Sequence, residues 1–167
     1  RRQRQMCIRD RKCPQKGPLG ESNFSILRAN NLAYVDKTEF IAELESFANR
    51  FPFIVRPRRF GKTLFTQTLQ AYYDIAAAKD FERNFAGTYI GEHKTPLANT
   101  FRVIHFDFSG ISPQNFESDF ADQVLSGFFD FCLRYPFKSG ESLLREKFDS
   151  AHRLLTAFVR EYEATFR

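Results

Sequence analysis

Residues 51–63 decide the predicted fold, and they read Phe51-Pro-Phe-Ile-Val-Arg-Pro-Arg-Arg-Phe-Gly-Lys-Thr63. The apolar run Phe51 to Val55 is typical of a strand buried on both faces, with Pro52 tolerated near its start. From Leu64 to Ile75 the apolar residues return to helical spacing. Strand, loop and helix in this order are the setting in which a Gly-Lys-Thr tripeptide binds phosphate. The sequence therefore predicts a phosphate-binding loop between the two elements.

Gly61-Lys62-Thr63 has the chemistry that such a loop requires. Backbone N–H groups surround a polyphosphate, the lysine neutralises its β and γ oxygens, and the threonine hydroxyl ligates Mg²⁺. The helix that begins there adds the positive end of its dipole. We therefore expect ATP and Mg²⁺ as ligands, with Lys62 on phosphate and Thr63 on the metal.

The loop departs from the usual Gly-x-x-x-x-Gly-Lys-Ser/Thr pattern at its first position, where this chain has Arg56. A side chain there costs about 1–2 kcal/mol if the backbone must be left-handed, and Pro57 removes one N–H donor. Three guanidinium groups, those of Arg56, Arg58 and Arg59, can instead make bidentate hydrogen bonds to phosphate. A basic surface turn without a ligand is the alternative interpretation.

The rest of the chain predicts helices and two further strands around this loop. The predicted elements are a short strand at Leu32–Val35, a helix opened by a capping box at Asp36 and Glu39, a strand at Phe101–Phe108, a helix after Ser112 and Pro113 that carries Phe116, Phe120, Val124 and Phe128, and an amphipathic helix from about Glu141. Residues 76–99 are predicted to connect two of these elements. Together they predict an α/β P-loop NTPase fold, a Rossmann-like three-layer arrangement.

Composition and charge do not predict a membrane protein or a nucleic-acid-binding protein. With 43% hydrophobic and 27% charged residues in 167, the chain fits one globular domain, and no run of about 18 apolar residues predicts a membrane span. Residues 1–11 resemble a translated sequencing adaptor. Without them the chain carries 20 basic and 19 acidic residues, about +1, so overall charge does not predict a nucleic-acid partner.

These observations predict three segments and a location. The adaptor-like segment covers residues 1–11, an irregular leader rich in Pro and Gly covers 12–25, and the N-terminal part of an ATPase domain covers 26–167. The cysteines show neither a disulfide framework nor a zinc pattern, and no signal peptide is present. We therefore expect a cytoplasmic chain without a membrane partner.

Three ordered landmarks resemble the bacterial AAA-ATPase-like family. They are Tyr-Val-Asp-Lys-Thr at 34–38, Arg-Pro-Arg-Arg-Phe-Gly-Lys-Thr at 56–63, and Val-Ile-His-Phe-Asp-Phe-Ser at 103–109, within a similarity that runs from about Gly17 to Cys132. The resemblance implies that Arg56, Pro57, Arg58, Arg59, Phe60, Gly61, Lys62 and Thr63 form the Walker A loop, and that the missing first glycine is a family trait. Members commonly carry a C-terminal domain of the PD-(D/E)XK nuclease superfamily. The implied partners are therefore a nucleotide, a missing nuclease-like C-terminal part of the same chain, and nucleic acid for the parent protein.

The resemblance also implies that a Walker B strand is missing. Asp107 ends an apolar run but is followed by Phe108, and in the family this strand precedes Walker B, which is then expected beyond Arg167. Asp107 stays a second candidate Mg²⁺ residue, acting through water, with a structural role at a strand end as the alternative. ATP hydrolysis is therefore expected only in the intact parent.

Two other functions stay open from the sequence. A nucleic-acid-binding module would place Arg56, Arg58 and Arg59 on a phosphate backbone without hydrolysing a nucleotide. An inactive fragment is the third alternative, because two main strands are fewer than the four to six typical of a sheet, and this predicts poor stability. Asp36 is expected to cap a helix, and whether residues 36–38 approach the nucleotide is left open.

Overall fold

The computed structural model describes residues 17, 20–47, 51–144 and 150–166, and helices dominate them. The adaptor-like segment 1–11 and part of the leader lie outside the described residues. The α-helices are α1 (Phe24–Ala29), α2 (Glu39–Ser46), α3 (Lys62–Tyr73), α4 (Phe81–Phe85), α5 (Tyr89–Glu92), α6 (Phe116–Arg134), α7 (Lys138–Leu143) and α8 (Ala151–Phe166), with 3₁₀ turns at Ile75–Asp80 and Pro113–Asn115. None of these helices is long and apolar enough to cross a bilayer.

The predicted α/β P-loop NTPase fold is wrong for this structure. In the described ranges the residues predicted as strands, Leu32–Val35, Phe51–Val55 and most of Phe101–Phe108, are irregular. β-Pairing there is limited to one isolated parallel bridge between Asp74 and Phe101. A Rossmann-like three-layer arrangement needs a sheet between its helices, so that architecture is excluded.

The physical reason lies in what a strand needs from its neighbours. β-Prone residues express a fit to a pleated, half-buried surface, and a strand forms only where a neighbour pairs its N–H and C=O groups. The apolar run after residue 50 has no such surface here, since Phe53 is 92% exposed and Val55 is 73% exposed. Its composition is that of a buried strand, but its surroundings are not.

Three of the predicted helices are confirmed, because helical hydrogen bonds are local to the segment. The helices predicted after Asp36, after the Gly-Lys-Thr tripeptide and after Ser112 are confirmed as α2, α3 and α6. The Ser112 cap is also confirmed, since its side chain accepts from the Gln114 amide. The capping box at Asp36 is wrong, because Thr38 holds the N-cap position of α2.

Two compact units make up the chain. The first contains residues up to Tyr72 together with Ala77–Ala98, and the second contains Tyr73–Ala76 together with the residues from Asn99 onward. In the first unit an aromatic core joins α1, α3 and α4. Its buried rings are Phe24, Tyr72, Phe81 and Phe85, with centroid separations of 5.0 to 6.0 Å between contacting pairs.

The core of the second unit lies among α6, α7 and α8. Phe128 and Phe158 stack with ring centroids 3.9 Å apart, and Phe137 meets Phe158 edge-on at 5.4 Å. All three side chains are at most 4% exposed. Side chains of this size dominate core energetics, so this cluster is the main source of stability in the second unit.

A buried carboxylate ties the start of the second unit to the end of α6. Asp74 is 2% exposed. It accepts hydrogen bonds from Tyr135 Oη at 2.6 Å, Arg134 Nη1 at 2.9 Å and the Ala76 amide at 2.7 Å. Tyr135 Oη in turn accepts from the Val103 amide at 2.9 Å. Burial, and then the hydrogen bond to Asp74, raise the pKa of Tyr135 to about 12.

Replacing Phe128 with alanine should strongly destabilise the second unit. Phe128 is 1% exposed, whereas its neighbour Phe129 is 54% exposed, so Phe129→Ala is a matched control. We expect Phe128→Ala to lower the free energy of unfolding by about 3–5 kcal/mol, because it leaves a cavity in the aromatic cluster, and Phe129→Ala to lower it by less than about 1 kcal/mol. Urea unfolding followed by circular dichroism measures both. Equal losses would contradict this packing.

The Tyr135 hydrogen bonds predict a loss of stability in alkali. A tyrosine ordinarily loses its proton near pH 10, whereas Tyr135 holds its proton to about pH 12 in the folded chain. The folded state binds this proton more tightly, so its contribution is fully present below pH 10 and is lost between pH 10 and 12. A near-ultraviolet titration should show a late phenolate component that is smaller in Tyr135→Phe, where Tyr34 remains as a second tyrosine whose pKa is raised by burial. A loss confined to the component that titrates near pH 10, with the late component unchanged, would refute the assignment.

Candidate functional site

The loop at 56–63 ends in a sharp turn that starts α3. Arg59 and Gly61 both adopt left-handed backbone angles, with φ of 66° and 74°. Glycine takes this conformation without steric cost, whereas a residue with a Cβ pays about 1–2 kcal/mol. The two left-handed residues reverse the chain so that α3 begins at Lys62, and the Phe65 amide donates to the Gly61 carbonyl at 2.9 Å.

The amine of Lys62 closes this loop on itself. Nζ donates to the Arg56 carbonyl at 2.6 Å and to the Pro57 carbonyl at 3.0 Å. The first residue of the helix is thereby held to the beginning of the loop. An ammonium has three N–H donors, so one of them is left for a ligand.

A cleft of about 250 Å³ opens beside this amine. Its lining is cationic and aromatic: Lys37, Phe40, Ile54, Arg56, Phe60, Gly61, Lys62 and Phe65. Pockets that bury a whole drug-sized ligand are about 300–1,000 Å³. The cleft therefore has room for a phosphate chain rather than for a complete nucleotide.

The residues predicted for the site divide between this lining and the surface. Arg56, Phe60, Gly61 and Lys62 line the cleft, and Pro57 supplies a carbonyl to the Lys62 amine. The other three predicted residues, Arg58, Arg59 and Thr63, are exposed and lie outside the lining. That this loop binds a nucleotide stays a prediction.

Asp107 lies in the second unit, where its carboxylate has a local structural role. Oδ1 accepts from the Ser109 amide at 2.9 Å, an arrangement that stabilises a turn. This hydrogen bond is the main cause that lowers the pKa of Asp107. Its predicted contact with Mg²⁺ stays a prediction. In the part of the chain that the structure describes, no three His, Cys, Asp or Glu side chains are grouped as a metal site.

Lys37 is a lining residue that the sequence did not assign to the site. The residues on either side of it are attached to α5: Asp36 Oδ2 accepts from the Tyr89 amide at 2.7 Å, and Thr38 Oγ1 accepts from the Ile90 amide at 3.1 Å. Asp36 also accepts from the Thr38 amide at 2.9 Å. The Asp-Lys-Thr landmark was visible in the sequence, but only the folded chain brings its lysine to the same cleft as Lys62.

Positive charge in the cleft is not balanced by acidic side chains. Lys37, Arg56 and Lys62 line it without a carboxylate. The ion pairs found among the described residues are Arg83 with Asp80 and Arg134 with Asp74, so none of the three cations takes part in one there. Three like charges around one cleft favour an anionic ligand.

A loop closed on a lysine amine, at the start of a helix and beside a cationic cleft, is a candidate anion-binding site. A family model described as "Predicted AAA-ATPase" matches residues 18–163, and the chain therefore belongs to the AAA-ATPase-like family. This confirms the family that the three landmarks predicted. The nuclease-like partner and the bacterial origin stay predictions. Neither the curated proteins nor the solved structures gave a match.

Gly61→Ala tests the left-handed turn at the helix start. A Cβ on Gly61 would meet no atom within 4 Å, so the cost is backbone strain alone. We expect the free energy of unfolding to fall by about 1 kcal/mol, less than the full left-handed cost because alanine also restricts the unfolded chain.

The control for this variant is Gly110→Ala. Gly110 is not left-handed, and its nearest neighbour to a new Cβ is Gln123 Nε2 at an ordinary 3.5 Å. Its stability should therefore stay within about 0.5 kcal/mol of the parent. Thermal unfolding measures both variants, and a Gly61→Ala protein as stable as the parent would exclude the left-handed turn.

Proposed function

We propose that this chain binds a magnesium nucleotide, with ATP as the ligand, and that the loop Arg56–Thr63 holds its phosphates. The family assignment supports a nucleotide, since the matching family model is described as a predicted AAA-ATPase. The single observation that carries the choice of site is the Lys62 amine, which two loop carbonyls hold beside a cationic cleft.

The donors of the loop suit an anion with several oxygens. Lys62 keeps one N–H for a phosphate oxygen after its two bonds to the loop. The first N–H groups of α3 have no acceptor within the helix, and they carry the positive end of its dipole. Arg56 is a lining residue, and a guanidinium can bind phosphate in a bidentate manner. Exposed Arg58 and Arg59 flank the same turn.

Thr63 is the residue of this loop that would hold Mg²⁺. Its hydroxyl is exposed at the start of α3 and makes no hydrogen bond within the described residues. Mg²⁺ is usually held by few protein ligands together with substrate phosphates and water, so one hydroxyl fits it. When bound, the ion would neutralise phosphate charge.

Binding rather than hydrolysis is the activity that we propose for these residues. Phosphoryl transfer to water needs a group that orients the water and a carboxylate that fixes the metal. The lining of the cleft contains three cations and three phenylalanines but no carboxylate. We therefore assign the loop a nucleotide-binding role, and hydrolysis would depend on residues outside this lining.

Lys62→Ala should weaken ATP binding about ten- to a hundredfold, because it removes a charged hydrogen bond to phosphate. Lys79→Ala is the matched control, since Lys79 is an exposed lysine of the same unit that lies outside the cleft lining. Isothermal titration with Mg-ATP measures both affinities. ADP should compete for the site in the parent protein.

Equal affinities for the Lys62→Ala and parent proteins would remove the proposal. Binding of duplex DNA that needs no magnesium, falls steeply with salt and is insensitive to ADP would instead support a nucleic-acid-binding module at Arg56, Arg58 and Arg59. The two functions are therefore separated by competition with ADP and by the salt dependence of binding.

A further inference from the structure

We propose that Lys37 is a second phosphate-binding cation of this site, and that it contacts the phosphates of a di- or triphosphate that a monophosphate lacks. The inference rests on the proposed nucleotide-binding function and deepens it. Lys37 lies 25 residues before Lys62 in the chain, yet the two residues line one cleft.

The position of Lys37 is set by the residues on both sides of it. Asp36 and Thr38 accept hydrogen bonds from consecutive amides at the start of α5, those of Tyr89 and Ile90. Thr38 is fully buried, whereas Lys37 is exposed. Because its two neighbours are anchored, the backbone of Lys37 has little freedom, and its flexible stem carries the amine to the cleft edge.

Positive charge surrounds the cleft. Lys37 has no carboxylate partner among the described residues, and Asp36 uses its two oxygens for backbone amides. Lys37, Arg56 and Lys62 therefore repel one another when no anion is bound. A side chain that only stabilised the fold would gain nothing from this arrangement, whereas an anion placed among the three cations is attracted by all of them.

The number of donors points to a chain of phosphates. Lys62 has one N–H left after its bonds to the loop carbonyls, so it can meet one oxygen. A single phosphate bound there leaves the charge of Lys37 unbalanced, whereas a di- or triphosphate carries further oxygens and charge along the cleft. Phe40 and Phe65 in the lining reduce the contact with water, which strengthens each charged contact.

The affinity of a ligand series tests this role. Mg²⁺ complexes of AMP, ADP and ATP, and inorganic tripolyphosphate, are titrated into the parent, Lys37→Gln, Lys37→Arg and the control Lys79→Gln. We expect Lys37→Gln to weaken ATP and tripolyphosphate binding about tenfold and to weaken AMP binding much less. The affinities of Lys37→Arg should stay close to those of the parent. Lys79→Gln should match the parent for every ligand.

A measurement without ligand checks the charge argument separately. Removing one of three like charges should raise the midpoint of thermal unfolding of Lys37→Gln at low salt, and the difference from the parent should vanish at high salt. A lower midpoint for Lys37→Gln would give Lys37 a structural role and overturn the inference, whatever happens to binding.

The outcomes separate this inference from the function on which it rests. If Lys62→Ala loses ATP affinity while Lys37→Gln behaves like Lys79→Gln, the role of Lys37 is overturned and the proposed function stands. Equal losses of AMP, ADP and ATP affinity in Lys37→Gln would overturn the assignment of Lys37 to the phosphates that AMP lacks. If the parent protein binds neither nucleotides nor tripolyphosphate, both proposals fall.

Discussion

The bonds from the Lys62 amine to the carbonyls of Arg56 and Pro57 are the constraint on which the candidate site depends. They join the beginning of the loop to the first residue of α3. The left-handed turn through Gly61 makes this closure geometrically possible, and the closure leaves one N–H of the amine for a ligand. One side chain thus joins the start of the helix to the loop and keeps one charged N–H for a ligand.

The second contribution to the site comes from a distant part of the chain. Asp36 and Thr38 attach their segment to the start of α5, and this attachment brings Lys37 to the cleft. Both oxygens of the Asp36 carboxylate accept from backbone amides, so Asp36 positions the segment and forms no ion pair with Lys37 among the described residues. The cleft gains a cation through the same contacts that stabilise the first unit.

Family membership and architecture rest on different observations in this chain. The family match covers residues 18–163, and it depends on residue types in order, including the loop at 56–63. The architecture of the described residues depends on whether the backbone N–H and C=O groups bond within a helix or pair with a neighbouring strand. The apolar run with Phe53 and Val55 illustrates the difference, since its residue types fit a buried strand while its side chains are exposed.

The sequence by itself determined α2, α3 and α6 and marked the candidate loop, whereas α4 and α5 lie in residues 76–99, which it predicted only as a connection. Helical spacing places α3 and α6 because each backbone bond closes within four residues, and the Gly-Lys-Thr tripeptide marks a loop whose chemistry is local. Only the tertiary structure decided that no sheet forms in the described residues, and that Lys37 joins Lys62. Both outcomes depend on contacts between segments far apart in the chain, and neither the spacing nor the composition of one segment carries that information.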